Sequence, residues 1–400
     1  MTTIFTNLTL WTGTQEEAVK NAWLAVADGK IINHGTGQAP AKAEDELVDL
    51  GGRFVMPGLI NAHVHLMMDP TSPKLTMLSE TEVTVRAIQN LRTLLAAGVT
   101  TVRDCGCAFD VDIKLRDLQG QLGEVVPDIV ASGQAMSMTG GHGDFPQGDG
   151  SANMSYLVDS EDEMRKAVRT AFKHGADNIK VMATGGVMSP NDRIDDTALS
   201  VTEMAVAVAE AHHQHRTVAA HAQGNAGIHN ALAAGVDSIE HGIYVDDEQA
   251  AFMAANNVAL VPTLNAAASI SKHGRATLPA HMISKNDQVQ ADFFAHITRV
   301  FQTAVHVVVG TDAGTPFNSF KTGTAEEMAL WVESCHATPV QALLGATRYA
   351  AELLRIADQR GTLAPGLAAD FLVLTANPLD DIHALAATDM QVFKNGVQVH

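Results

Sequence analysis

The chain has 400 residues, 46% hydrophobic and 18% charged, a globular composition that excludes a disordered or fibrous protein. Its 26 basic and 45 acidic residues give a net charge of −19, a field that repels nucleic-acid phosphates and anionic membrane surfaces alike. Three cysteines are too few for a disulfide framework, and the opening MTTIFTNLTLWTG lacks a secretory head; with no apolar run near the roughly 18 residues of a membrane span, the expected setting is the cytoplasm.

In chain order, residues 1–56 carry short strand-like runs and turns, such as Trp23 to Ala27. Eight β-branched runs follow, separated by Ala-rich stretches with helical spacing: Val55 to Leu66, Val99 to Asp104, Ile129 to Gln134, Asn178 to Thr184, Thr217 to Ala222, Asp237 to Gly242, Ala259 to Leu264 and His306 to Asp312. Alternation of this kind predicts parallel strands joined by crossover helices. Gly98, Gly175 and Gly235 each stand just before a strand, where a left-handed turn would end the preceding helix. Ser200 and Glu203 have capping-box spacing and open a helix expected to run to about His215. The His212, His213 and His215 that close it complement the helix dipole in solvent rather than bind metal.

Eight strands between about 57 and 355 argue for an α/β fold, a closed (β/α)8 TIM-type barrel, over an open doubly wound sheet; no GxGxxG follows the first strand. The C-terminal stretch returns to short strands, such as Phe371 to Thr375. The expected division is therefore a small β-sandwich from residues 1–56 plus 357–400 and a catalytic barrel over 57–356. Two connections, Met136 to about Tyr156 and Asn265 to about Asp287, are longer than a βα loop requires and are candidate substrate walls and lids.

His63-Val64-His65 is the strongest local chemical signal, because residues two apart on a strand share a face and can offer two imidazoles to one metal ion. Two satisfied core histidines are the plain alternative. Further candidate ligands end four more strands: Lys180, His221, His241 and Asp312. In a barrel these converge on one rim, and imidazole with carboxylate is the donor set of zinc or a similar divalent ion. A lysine ammonium beside a dication would be repelled, so Lys180 is expected to be neutral or carboxylated by CO2 to a bridging carbamate, the alternative being an ordinary ion pair at the rim.

The segments HVH, IKVMATGG, AAHAQG, IEHG and GTDAGT occur in this order, with TVRDCG, ASGQAMSMTGGHGD and GTLAPGLAADFLVL extending the pattern over nearly the whole chain. Together they resemble the amidohydrolase superfamily, and within it the imidazolonepropionase-related, prolidase-like branch of Xaa-Pro dipeptidases and N-acyl-amino-acid hydrolases. The resemblance implies a barrel with a small β-sandwich and a binuclear site for two divalent ions, most simply zinc. His63 and His65 would hold the inner ion with Asp312, His221 and His241 the outer one, and carboxylated Lys180 would bridge them, with a metal-bridging hydroxide as nucleophile. Asp312 would then take the proton of that nucleophile and deliver it to the leaving nitrogen, a role to set beside the plain one of helix N-cap.

For substrate contacts the resemblance points to His142 on the glycine-rich TGGHGD loop and to Tyr244, three positions after His241. Loop packing is the plain alternative for each. Arg193 and Arg275 lie on rim loops, where they could bind a carboxylate bidentately, solvated surface arginines being the simpler reading. Cys105 and Cys107 read as packing, as do the methionines beside the motifs, Met67, Met68, Met136 and Met138, which could also form an adaptable apolar wall. The GGVMSP stretch after Lys180 could close over substrate.

The leading expectation is a metal-dependent hydrolase acting on an amide or peptide bond next to a C-terminal amino acid: a dipeptidase, carboxypeptidase or N-acyl-amino-acid hydrolase. Its partner is a small-molecule substrate, a dipeptide or N-acyl amino acid, with no nucleic acid or membrane and, as the resemblance implies, self-association into a homo-oligomer. Two alternatives stand beside it: a cyclic-amide hydrolase of the imidazolonepropionase type, needing one metal, and a catalytically silent metal-binding scaffold.

Overall fold

The computed structural model describes residues 2–72 and 77–400. Both ends of the chain meet in one eight-stranded sheet. It contains β1 (Thr3–Leu10), β2 (Val19–Ala27), β3 (Lys30–Thr36), β4 (Glu46–Asp49) and β5 (Phe54–Pro57) from the start of the chain, and β17 (Phe371–Leu374), β18 (Gln391–Lys394) and β19 (Val397–Gln398) from its end. β5 joins the halves, parallel to β1 on one side and antiparallel to β17 on the other. The apolar side closes over Leu8, Leu24 and Ile31 and the ring cluster of Phe5, Phe371 and Phe393, in which the last two stack at 4.3 Å.

The barrel strands follow as β6 (Leu59–Val64), β7 (Val99–Asp104), β8 (Asp128–Val130), β9 (Ala135–Ser137), β13 (Asn178–Met182), β14 (Thr217–Ala222), β15 (Ser238–His241) and β16 (Ala259–Val261), all parallel to their barrel neighbours. Three short strands, β10 (Pro146–Gln147), β11 (Ala152–Asn153) and β12 (Ser155–Leu157), structure the long connection after β9. The helices on the outside are α1 (Glu80–Ala96), α2 (Val111–Asp117), α3 (Gln119–Leu122), α4 (Glu161–His174), α5 (Val201–His213), α6 (Asn225–Ala234), α7 (Asp247–Asn256), α8 (Leu264–His273), α9 (Ala280–Val300), α10 (Gly323–Ser334), α11 (Pro339–Gly345) and α12 (Arg348–Leu353). None of the described helices is long and apolar enough to cross a membrane.

The eighth expected strand, His306 to Asp312, closes the ring. Val308 N donates to Leu260 O on β16 (2.8 Å), and on the other side Ala62 N of β6 donates to Val309 O (2.8 Å) and Thr311 N to His63 O (3.1 Å). Gly310 is needed at this seam, because a Cβ there would sit 2.6 Å from the His63 Cβ and 2.3 Å from Val261 Cγ1. The expected glycine turns all occur with positive φ, at Gly98, Gly175 and Gly235, and Ser200 with Glu203 forms the full capping box of α5.

Three expectations need correction. The run Val55 to Leu66 is two strands, β5 and β6, separated where Gly58 N turns to bond Asp370 O. The run Ile129 to Gln134 is interrupted, because the Ser132 and Gly133 N–H groups donate to the Asp112 carboxylate (2.9 and 2.8 Å) instead of a ladder; β8 pairs with β7, and β9 with β13. The connection from Asn265 to Asp287 is largely helical, lying in α8 and the start of α9.

Candidate active site

Strand alternation puts Asn61 and His63 of β6 on the inner face with His65 just beyond, and Lys180 and His221 likewise point inward from β13 and β14. His241 does not follow that rule. Its neighbour Glu240 already faces the barrel interior, and His241 reaches the same space because its backbone turns left-handed, φ +70°. Asp312 is also left-handed, φ +59°. Two non-glycine residues held in this sparsely populated region at one rim is the kind of stored strain that functional sites keep.

The side chains converge. His65 Nε2 lies 3.1 Å and His63 Nε2 3.5 Å from Asp312 Oδ1. Ring centroids of His63 and His241 are 5.1 Å apart, those of His221 and His241 4.6 Å. His63, His65 and Asp312 can present donor atoms to one cation. Each ring has its other nitrogen occupied: His63 Nδ1 donates to Glu240 Oε2 (2.7 Å), His65 Nδ1 to Gly106 O (3.2 Å) and His221 Nε2 to Gly185 O (3.1 Å), while His241 Nδ1 is 2.7 Å from Thr263 Oγ1. For His63, His221 and His241 such outer bonds fix tautomer and ring orientation and leave the inward nitrogen with its lone pair, whereas at His65 the Asp312 carboxylate bonded to Nε2 outweighs burial and raises the imidazole above its ordinary range.

Electrostatics agree with a ligand cluster. Burial, reinforced by neighbouring positive groups, holds His63 and His221 well below the ordinary imidazole range, and burial takes His241 down to about 3. All three are therefore neutral at pH 7, as metal ligands must be. Burial alone would raise the Asp312 carboxyl, but the His65 hydrogen bond and the surrounding histidines outweigh it and hold Asp312 ionised. Lys180 is 1% exposed, and its Nζ has no hydrogen-bond partner among the described residues; His63 Nε2 has none there either. Buried polar atoms in that state are costly, and neutral imidazoles, a carboxylate and an unpartnered amine around one space fit divalent cations and a carboxylated lysine.

A buried layer beneath the cluster was not legible in the sequence as a functional element. Arg103, fully buried, donates to Glu240 Oε1 (2.7 Å), Ala62 O (2.6 Å) and Ser238 Oγ (3.3 Å), and Glu240 in turn holds His63. His63, Cys105 and Glu240 also have atoms close enough for a cation. That group is instead closed by Arg103, whose charge already neutralises Glu240, and burial pushes the Cys105 thiol up to about 12. Inward alternation of Ser238 with Glu240 was the available signal.

Above the cluster lies a cavity of about 80 Å3 lined by all six candidate ligands, by His142, and by an apolar wall including Met68, Phe145, Met182, Ile270 and Phe293. The His142 ring stacks on His221 at 4.4 Å, and its Nδ1 is 2.8 Å from Ser189 Oγ. The loop carrying Ser189 is tied to α9 by Lys285, whose Nζ donates to Gly186 O (2.8 Å), Ser189 O (2.7 Å) and Asp192 Oδ1 (2.9 Å). Gly186 lets this loop lie against His142, since a Cβ would come within 2.4 Å of the ring. Val187 and Met188 of the same loop line the cavity.

The family model for the amidohydrolase family matches residues 54–399. The chain belongs to the amidohydrolase family. It is 32% identical over 398 residues to the ochratoxinase of Aspergillus niger, spanning 92% of this chain and 80% of that one. Among solved structures, a Xaa-Pro dipeptidase with bound methionine superposes with a TM-score of 0.91 at 28% identity, covering 100% of this chain and 99% of the other. A prolidase complexed with N-methylphosphonate-L-proline gives 0.89 at 29% identity, with 100% and 99% covered. Like its family, this amidohydrolase is a hydrolase of carbon–nitrogen bonds of amide or peptide type that works with divalent metal.

Other expected residues fall outside the cavity. Tyr244 does not line it; the ring packs edge-on against His296 at 5.8 Å. Arg193 and Arg275 are exposed and paired with Asp195 and Asp287 (3.1 and 2.8 Å). Cys105 and Cys107 are fully buried. Of the four methionines beside the motifs Met68 reaches the cavity, joined by Met154, Met182 and Met188, while Met67 and Met136 are core. Gln223 and Asn286, which the sequence reading passed over, line the cavity with an unpartnered amide oxygen each.

Proposed function

We propose that this amidohydrolase releases a C-terminal amino acid from a dipeptide or N-acyl amino acid, and that two divalent ions, most simply zinc, are held by His63, His65, Lys180, His221, His241 and Asp312. The observation that carries the reading is Lys180: a buried amine without a partner among the described residues, beside neutral imidazoles and an ionised carboxylate. Reaction with CO2 forms an N–C bond, releases one proton and turns the amine into an anionic carbamate, which removes the repulsion a cation would feel. Bound divalent ions supply acidified water, whose pKa can fall to about 7, and polarise the scissile carbonyl.

The chain's own residues do the rest. Asp312, on a turn fixed by the Asp312 N bond to His63 O (2.8 Å), is placed to accept the proton of attacking water and return it to the leaving nitrogen. Glu240 and Arg103 keep His63 in the tautomer with Nε2 inward. His142 overlies the cluster and is positioned to contact the carbonyl or its substituent. Tyr244 is given the weaker role of a rim residue for the substrate carboxylate, which needs its ring to swing from His296. The proposed division of labour follows residues 1–56 plus 357–400 as β-sandwich and 57–356 as catalytic barrel.

Turnover of a library of dipeptides and N-acyl amino acids, with and without chelator, tests the proposal. The expected result is chelator-sensitive release of a free amino acid; metal-replete protein inert to the whole panel would refute it. A cyclic-amide hydrolase of the imidazolonepropionase type would carry one ion and an unmodified Lys180, and a silent scaffold would bind metal without turning over any amide, lactone or cyclic ureide.

A further inference from the structure

Helix α8 begins without the cap its sequence supplies. Thr263 stands at the N-cap position, where a threonine ordinarily turns its hydroxyl onto the N–H groups of the first turn. Here the hydroxyl caps no N–H of α8, and the Thr263 backbone is left-handed, φ +52° and ψ +42°. For a β-branched residue that conformation is an outlier, which persists only where the surroundings hold it. The holding group comes from another helix. Glu327 on α10, a fully buried carboxylate, accepts from Leu264 N (Oε1, 2.9 Å) and Asn265 N (Oε2, 2.7 Å), the first two residues of α8, and from Trp331 Nε1 (Oε1, 2.8 Å).

The Thr263 hydroxyl is thereby left for the site. Its Oγ1 lies 2.7 Å from His241 Nδ1, and Thr263 is itself buried and lines the cavity. With Nδ1–H donated to that oxygen, the His241 ring keeps a lone pair on Nε2, the atom that can bind an ion. One hydroxyl cannot serve two geometries. Were Glu327 unable to accept, two buried N–H groups at the start of α8 would lack a partner, and the N-cap hydroxyl is the group that normally takes them. We infer that Glu327 is a positioning residue for the metal site: by capping α8 in place of Thr263, it commits the Thr263 hydroxyl to His241 and fixes the tautomer in which His241 binds an ion. The inference rests on the reading of His241 as a metal ligand.

Two readouts test it: Zn2+ affinity by chelator competition, and the ring-nitrogen NMR shifts of His241 in metal-free protein at pH 7, which report its tautomer. Wild type should show the Nδ1–H form. Thr263→Val, similar in shape but without the hydroxyl, should mix the tautomers and weaken one of the two Zn2+ steps by about 10-fold or more, leaving the other within about twofold; Thr263→Ser should restore both. Glu327→Gln should weaken the same step by a similar factor, since an amide offers one acceptor oxygen where a carboxylate offers two. In the Thr263→Val background it should cost less than about twofold further, because the route it acts through is already cut. Glu327→Asp, which withdraws the carboxylate by one methylene, is the second variant should Glu327→Gln not fold, with the same expectation. A cap that serves stability alone would lower Tm without moving the His241 ring or singling out one ion. An unchanged tautomer in Thr263→Val, unchanged affinity in the Glu327 variants, or penalties that multiply in the double variant would overturn the inference. Because the tautomer is read without metal, the two claims separate. A wild type that binds no Zn2+ while the variants shift the tautomer refutes the metal-site reading alone; two bound ions with tautomer and affinity unmoved by the variants refute this inference alone.

Discussion

The two ends of the barrel hold cavities that treat their charged side chains differently, and the larger of the two lies at the end away from the histidines. At the N-terminal end of the strands a space of about 330 Å3 is ringed by Arg116, Arg216, Arg355 and Arg360. Every one of these is paired: Arg116 and Arg216 with Asp177, Arg355 with Asp237 at 3.2 Å, and Arg360 with Asp128 and with Asp370 at 2.9 Å. At the C-terminal end, a space of about 80 Å3 is lined by Lys180, His63, Gln223 and Asn286, whose Nζ, Nε2, Oε1 and Oδ1 have no partner among the described residues. Size alone therefore does not mark the site. What marks it is the convergence of an unpartnered amine with imidazoles and a carboxylate at the strand ends where barrel active sites are built; unpartnered polar atoms alone do not, since Asn178 at the start of β13 leaves both its amide atoms without a partner among the described residues.

The largest break in this contrast should come from Asp312→Asn, which keeps the shape and removes the proton acceptor. It should lower kcat by about 1,000-fold with little change in KM, measured by steady-state kinetics on the best substrate of the library. Lys180→Met should abolish turnover by loss of metal while raising the Tm of the metal-free protein, since it removes an unpartnered buried amine. Thermal melts in chelator beside activity assays check both halves.

The opposite end should respond in the opposite sense. Arg360→Leu leaves Asp370, whose carboxyl burial already pushes up, without its cation. It should cost about 3 kcal/mol in urea unfolding and leave kcat unchanged. Smaller effects sharpen the upper site: His142→Ala should raise KM by about 10-fold, and Tyr244→Phe should change kcat/KM by less than about threefold, because Tyr244 stands off the cavity wall.

How far the sequence led is clearest residue by residue. His63, His65, Lys180 and His221 were legible because inward positions on a strand recur every two residues and because each ends a run marked by turn residues. His241 and Asp312 were legible through their motifs and not through alternation, since left-handed backbone brings them to the site. Glu240 with Arg103, and Lys285 with Ser189 and Asp192, were hidden, because they join segments more than 90 residues apart and nothing local announces the pairing. Asp112 hid the break in the third strand for the same reason, taking backbone N–H groups some 20 residues away. Asn286 was read as part of a loop, so its place on a helix face went unseen.

Metal content per chain, measured by mass spectrometry on protein prepared with bicarbonate and excess divalent metal, tests the central claim most directly. The account predicts two ions in the wild type and one or none in Lys180→Met. A full load in Lys180→Met, or a wild type that binds fewer than two ions, would contradict it.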